Sequence, residues 1–461
     1  DIYLDRVPTK YAGLNPTELA ISESQERMAV VVEAKDREAF EAYCRKDNVE
    51  VTHVADVTDT AHMRQFYKGE VVADISREFI DSAGAKHYAN ATIGAVEKKN
   101  PFAQKYAGDT LEERFCTMLA SDNVTSQKGL IENFDATIGR STVMMPYGGK
   151  MQLSENQVSI QKLPTFGYTN TASVLAFGFN PFISEWSPYH GAAYAVVEAC
   201  AKAAATGADY SKMRFSYQEY FERMTTDPHT FGKPLSALLG ALRMQVELGL
   251  PSIGGKDSMS GTFEHINVPP TLIAFGVTTM PADKAISPEF KKAGQKIYLL
   301  RHHPTKNFMP EVNDLTCNWN FLHRMNNEGK IYSAYAIGFG GVAEAIAKCS
   351  FGNRIGASIQ MPEADLFAYN YGSILITTDE DLRYRNAEYL GETTDGVIQV
   401  NGEEMCLDKL QCACFGRFAQ IYAPAVAPEH KALMPEGVGE VKTNAPMVYP
   451  GEAVEHPIVY I

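Results

Sequence analysis

The stretch from Tyr189 to Thr206, YHGAAYAVVEACAKAAAT, constrains the fold more than any other part of the chain. Its alanine-rich body has high helix propensity. Pro188 suits a first helical turn, and Gly207 stands where a C-terminal stop belongs. A long helix is therefore predicted here. A second runs from Pro234 to Leu248, again with Pro at its start and Gly after it. Shorter helical patterns cover Asp36–Arg45, Leu111–Leu119, Gly341–Cys349 and Asp408–Tyr422. Strand patterns lie between them: Arg27–Val32, Val49–Val57, Ser141–Met145, Ser173–Phe177, Thr271–Met280, the run KIYLLRH from Lys296, Ile355–Gln360 and Ser373–Thr378. Strands and helices mix along the whole chain, so the fold class is α/β or α+β, in at least two complete domains.

Composition narrows the function. The chain has 461 residues, 45% of them hydrophobic and 21% charged, as in an ordinary globular protein. A formal charge of -14 argues against a nucleic-acid surface, which needs clustered Lys and Arg. A local basic pocket for a small anion is still compatible with it. No apolar run is long enough to cross a bilayer, and no signal peptide pattern is seen. Of eight cysteines only Cys412 and Cys414 lie close, and no C-x-x-C pair occurs. Neither a zinc site nor a disulfide framework is expected, and the protein reads as cytoplasmic with reduced thiols. The start at Asp1 and the end at HPIVYI read as those of a piece of a longer chain.

The segment GLPSIGGKDSMSG, Gly249 to Gly261, comes directly after the second long helix. Two readings are open. It is a tight turn with a solvated Lys-Asp pair, or its glycine backbone, Lys256 and Ser258 cradle a phosphate.

Three stretches together resemble one family. They are LDRVPTKYAGLNPTELAISESQERM (Leu4–Met28), GKPLSALLGALRMQVELGLPSIGGKDSMSG (Gly232–Gly261) and GGVAEAIAKCSFGN (Gly340–Asn353). Their order and spacing are similar to those of phosphoribosylformylglycinamidine synthase in its large, glutamine-dependent form. The resemblance implies the aminoimidazole ribonucleotide synthetase-like fold, with A-type and B-type domains. It implies the C-terminal part of a first B-type domain over 1–86 and a linker over 87–109. A second A-type domain over 110–285 and a second B-type domain over 286–450 come next, and 451–461 approach a glutaminase domain. It also implies that the catalytic histidine, the ATP-binding loop and the glutaminase lie outside this chain, so that no catalytic residue falls within it. The implied reaction is an ATP-dependent ligation. Formylglycinamide ribonucleotide becomes formylglycinamidine ribonucleotide with glutamine-derived ammonia, in purine biosynthesis. ATP and magnesium are implied cofactors, bound mainly by the absent half, which with the glutaminase domain is the implied partner. No nucleic acid or membrane partner is expected, and the fragment alone is expected to be inactive.

Site residues are implied by the same resemblance. Glu23, Ser24 and Gln25 match a substrate-binding loop, and the resemblance favours that role over a plain loop entering the RMAVVV strand with a local Ser24 backbone bond. Ser258 is implied to touch substrate, and Gly255, Lys256 and Asp257 the nucleotide or phosphate. Glu198 matches a magnesium-binding glutamate of an auxiliary nucleotide site. The positions of its companion ligands are Lys162, Lys202 and Ala336 here. Two cations and an alanine cannot replace oxygen ligands, so an i,i+4 pair of Glu198 with Lys202 is the better expectation. Tyr189 and His190 open the long helix, where a phosphate contact or a capping role is open. Two other classes compete with the ligase. One is a non-catalytic scaffold half that contributes ligand contacts and docks the glutaminase. The other is a different enzyme of the same superfold, such as aminoimidazole ribonucleotide synthetase or selenophosphate synthetase.

Overall fold

The structure is a computed structural model, and it describes residues 1–10, 12–22, 27–82 and 88–423. It divides into two compact units, Asp1–Ala89 and the chain from Asn90 onward.

The first unit holds a three-stranded sheet of β1 (Ile2–Tyr3), β2 (His62–Tyr67) and β3 (Glu70–Ser76). β1 runs parallel to β2, and β3 antiparallel to it. Lys68 and Gly69 make the hairpin turn, both with positive φ (52° and 85°), the geometry that matches the strand twist. The Arg64 guanidinium grips the Asp1 carboxylate with two hydrogen bonds of 2.9 and 2.8 Å. Three helices complete the described part: α1 (Pro16–Ile21), α2 (Arg37–Lys46) and α3 (Arg77–Asp81). α2 agrees with the helix expected over 36–45. The strand expected over Arg27–Val32 does not form. Met28 and Val31 are 89% and 81% exposed, and no described strand offers that segment a partner edge. The strand expected over Val49–Val57 shrinks to one bridge, Ala55 to Ile2, because β1 is only two residues long.

In the second unit, short elements come first: α4 (Leu111–Leu119), α5 (Lys128–Ile131), β4 (Tyr147–Gly148) and β5 (Ser154–Glu155). A five-stranded sheet comes after them. Its members are β6 (Ser159–Lys162), β7 (Thr171–Gly178), β8 (Arg214–Tyr220), β9 (Ser252–Lys256) and, after a short hairpin of β10 (Thr262–Phe263) and β11 (Ile266–Asn267), β12 (Thr271–Pro281). The order is β6-β7-β12-β8-β9, antiparallel except for the last pair. Three helices belong to it: α6 (Pro181–Trp186), α7 (Pro188–Ala205) and α8 (Pro228–Leu248).

The remaining chain builds a seven-stranded sheet. Its strands are β13 (Lys296–Leu300), β14 (Ser333–Ala336), β15 (Gly356–Ile359), β16 (Ile374–Thr378), β17 (Ala387–Thr394), β18 (Ile398–Val400) and β19 (Glu403–Met405), in the order β14-β16-β13-β17-β15-β18-β19. Helices α9 (Val312–Asn327), α10 (Gly341–Phe351), α11 (Glu363–Leu366) and α12 (Leu407–Gly416) accompany it. Its central strands are apolar on both faces because each face meets a core. Ile297, Leu299 and Leu375 join Val342, Ile346 and Leu410 on one side. Tyr298, Leu300, Ile374 and Ile376 join Trp319, Leu322 and the alanines of α7 on the other.

α7 is therefore shared. It packs on β7, β12 and α8 and also meets β14 and α9. From Gly191 to Ala201 every residue is buried, which suits a helix with small residues all round. Its neighbours come close enough to forbid side chains. A Cβ on Gly178 would strike the Ala195 carbonyl, and one on Gly240 the Tyr189 carbonyl.

Three boundaries differ from expectation. No strand forms over Ser141–Met145, where only Thr142 bridges to Gln161. α8 begins at Pro228, capped by the Asp227 carboxylate, so that Pro234 lies inside it. α12 stops at Gly416, six residues before Tyr422.

Gly240→Val should lower stability by about 2–3 kcal/mol through overpacking against α7. A shifted denaturant midpoint with an unchanged slope is the expected readout, and an unmoved midpoint would show that α7 and α8 separate easily.

Candidate functional site

The glycine pair of GLPSIGGKDSMSG has two different structural reasons. Gly254 adopts a φ of 149°, which L side chains rarely take. A Cβ on Gly255 would lie 2.5 Å from the Tyr217 carbonyl oxygen, so β9 can only sit beside β8 without one. The segment is thus no turn. Gly254, Gly255 and Lys256 belong to the outermost strand of the sheet, and α8 leads into it through Gly249 in the left-handed conformation.

Beyond β9 the chain stays bonded to the end of β8. The Ser258 amide donates to the Glu219 carbonyl at 3.1 Å, and the Ser258 carbonyl accepts from Phe221 at 2.9 Å. The Ser258 hydroxyl lies 2.9 Å from that of Ser260. The Ser258 amide is therefore committed, which leaves its hydroxyl and the Lys256 ammonium as the groups able to meet an anion. Lys256 is exposed, and Asp257 stands beside it.

A groove of about 490 Å³ opens between α8 and the β8–β9 floor. Leu235, Leu238, Leu239 and Leu242 form its wall, while Tyr217, Glu219, Lys256 and Asp257 line the other side. Glu219 is 6% exposed, and its Oε1 has no hydrogen-bond partner. Burial, then the nearby Asp257 charge, pushes its pKa up to about 7. Neither Tyr217 nor Glu219 was singled out in the sequence. The signal was present: in FSYQEYF the period of two puts Tyr217 and Glu219 on the face of Phe215 and Phe221, and a carboxylate there is out of place.

Glu198 is buried in α7. Its carboxylate pairs with Lys202 at 2.8 Å and accepts the Phe179 amide at 2.9 Å. Burial pushes its pKa up, against the pull of Lys202. Lys202 also donates to the Phe177 carbonyl at 3.0 Å and lies over the Phe177 ring. Lys162 is engaged elsewhere, with its ammonium over the Tyr168 ring. Ala336 exchanges two 2.8 Å backbone bonds with the Gln157 amide. The oxygen set that magnesium needs is not assembled at Glu198, and among the described residues no cluster of three or more His, Cys, Asp or Glu side chains is placed to hold a metal.

His190 is turned inward, and the cap of α7 is Ser187, whose hydroxyl accepts from the His190 amide. The His190 Nδ1 lies 2.8 Å from the Ser187 hydroxyl, its Nε2 lies 3.0 Å from the Asn307 carbonyl, and its ring lies 4.6 Å from that of Trp186, tilted by 53°. Burial lowers its pKa. The Tyr189 hydroxyl meets Arg243 at 3.4 Å. Glu23, Ser24 and Gln25 lie outside the described residues.

Two consequences are measurable. Lys202→Met strands a buried carboxylate and should cost about 3–5 kcal/mol. The Glu198→Gln/Lys202→Met double variant should recover most of that loss; equal losses would mean the pair is not coupled. Glu219 has a folded pKa above its unfolded value, so the folded state binds the extra proton between about 4.5 and 7. Stability attributable to this group therefore falls as pH rises through that window. Glu219→Gln should gain about 1–3 kcal/mol relative to the parent at pH 8 and little at pH 4. A pH-independent difference in melting temperature would contradict this.

Residues 1–68 match the family described as AIR synthase related protein, C-terminal domain. The chain is 25% identical over 454 residues to the phosphoribosylformylglycinamidine synthase subunit PurL of a Nocardioides species, covering 89% of this chain and 58% of that protein. It is also 25% identical to PurL of Aquifex aeolicus, covering 89% and 60%. The chain thus spans under two thirds of the length of these relatives. Phosphoribosylformylglycinamidine synthase II of Thermotoga maritima has a similar fold, with a TM-score of 0.61 at 18% identity over 85% of this chain and 59% of that one. Structures of the T. maritima protein have been determined with ATP (TM-score 0.59, 18% identity, 85% of this chain, 59% of that one) and with FGAR (0.61, 17%, 85%, 57%). Over 89% of its length this chain is similar to phosphoribosylformylglycinamidine synthase subunits, and it shares the fold of the T. maritima protein.

Proposed function

We propose that this chain is part of an ATP-dependent ligase that converts formylglycinamide ribonucleotide to formylglycinamidine ribonucleotide with glutamine-derived ammonia. The observation that carries this reading is the similarity to PurL proteins across 89% of the chain. The GGKDSM segment supports the large, glutamine-dependent form. In this reading residues 1–86 complete a first B-type domain, 110–285 form the second A-type domain and 286–450 the second B-type domain.

The chain's own contribution is binding and orientation. The Ser258 hydroxyl and the Lys256 ammonium hold a phosphate, Gly255 and Asp257 complete that corner, and Glu23, Ser24 and Gln25 contact the ribonucleotide. ATP supplies phosphoryl activation of the amide oxygen, and ATP and magnesium are held mainly by residues outside this chain. No step is assigned to Glu198, whose carboxylate is occupied by Lys202 and the Phe179 amide. The scaffold reading is the alternative, favoured by that occupied carboxylate, and it separates from the first by whether this chain alone binds the ribonucleotide.

Calorimetric titration of the purified chain with formylglycinamide ribonucleotide should show binding without turnover. In the complete enzyme, Ser258→Ala and Gln25→Ala should each weaken that binding about tenfold or more, the effect of losing a hydrogen bond to a charged group. Unchanged affinities in both variants would remove the proposed phosphate corner, and no binding by the isolated chain would favour the scaffold.

A further inference from the structure

The segment that carries Ser258 is clipped to the end of β8 on both sides of one buried carboxylate. Phe221 donates its amide to the Ser258 carbonyl and accepts the Gly261 amide, both at 2.9 Å. The Arg223 amide donates to the Thr262 hydroxyl at 2.9 Å. Between Phe221 and Arg223 stands Glu222, 8% exposed, with both carboxylate oxygens in use. Oε1 accepts from Lys233 of α8 and Oε2 from the Asn267 side-chain amide of β11, each at 2.6 Å. Asn267 in turn accepts from the Thr262 hydroxyl at 2.8 Å, which closes a ring from Glu222 through the β10–β11 hairpin back to Arg223. The packing beside the ring is tight. A Cβ on Gly261 would lie 2.8 Å from the Phe221 carbonyl oxygen and 2.3 Å from Val268 Cγ2.

A buried ion pair adds little net stability, since desolvation offsets its attraction. Its hydrogen bonds nevertheless have direction, and a carboxylate, which only accepts, can hold donors from two elements at once. We propose that Glu222 is a positioning residue for the phosphate corner: it sets the β10–β11 hairpin against α8 and β8, and through that hairpin fixes where the Ser258 hydroxyl sits. This role rests on the reading in which that hydroxyl meets the ribonucleotide phosphate. Glu222 itself touches no ligand in it. The coupling runs through the backbone. The Val268 amide donates to the Gly261 carbonyl at 2.9 Å, so a shift of the hairpin moves Gly261, and with it the short segment back to Ser258. Glu222→Gln keeps the shape of the side chain but replaces one acceptor by a donor, which then faces the donor of Lys233 or of Asn267. One side of the ring is lost without a cavity.

Steady-state kinetics of the complete enzyme test this. Glu222→Gln should raise the KM for formylglycinamide ribonucleotide about tenfold, with kcat changed less and the KM for ATP held within about twofold. In a Ser258→Ala background the same substitution should add less than about twofold, because the hydroxyl it positions is gone. The double variant Glu222→Gln/Asn267→Asp should recover most of the affinity, since donor and acceptor exchange places across the same bond. Thr262→Val opens the ring at another point, and should show the same rise in KM and the same dependence on Ser258 even where Glu222→Gln does not fold. Additive effects with Ser258→Ala, or a ribonucleotide KM unmoved in both Glu222→Gln and Thr262→Val, would overturn the positioning role and leave the ligase reading standing. A KM unmoved by Ser258→Ala itself would instead remove the phosphate corner, and the positioning role with it.

Discussion

The close packing of α7 is the contact on which the second unit depends. Its alanines, its own Gly191, and the facing glycines Gly178 of β7 and Gly240 of α8 let the backbones of β7, α6 and α8 come within the space a side chain would fill. The helix then serves two layers, the five-stranded sheet on one side and the β14–α9 side of the larger sheet on the other. Interiors are dense enough that such a helix cannot move without moving both layers. Glu198 and Lys202 add a buried ion pair to the same helix, where removal of one partner is far worse than removal of both.

Much of this was legible because it is local. Alanine propensity, a starting proline and a stopping glycine placed α7 almost to the residue. The run IYLL of β13 is apolar throughout because both its faces are covered, whereas TLIAFGVTTM buries alternate residues and leaves Phe275 and Val277 exposed. The failures are of the opposite kind. RMAVVV has strand-like side chains, yet strand formation is a property of pairs, and no described edge lies beside it. Pro234 read as a helix start because a proline there is usually one, whereas Asp227 and Pro228 supply the cap and first turn further upstream.

The site was legible in chemistry and less so in geometry. Lys256, Asp257 and Ser258 follow one another at the end of β9, but of the two glycines before them Gly255 is explained by strand packing over Tyr217 and Gly254 by its own φ, before any ligand is invoked. Tyr217 and Glu219 escaped notice because a single strand says which residues share a face and not which polar atoms on that face go unpaired. That second fact needs the partner helix, which lies in sequence between the two strands of the floor.

The wall of the groove, α8, is also the crossover that carries the chain from β8 to the parallel strand β9, so wall and floor are a single uninterrupted stretch from Arg214 to Asp257. Most pockets are assembled from segments far apart in sequence, and their shape drifts when any of those segments changes. This one is defined by a short neighbourhood of the chain. Insertions in the loops elsewhere leave its dimensions alone, while a change in the length of α8 alters wall and floor together. Its chemistry is therefore free to be retuned by substitutions at very few positions without a redesign of the surrounding architecture.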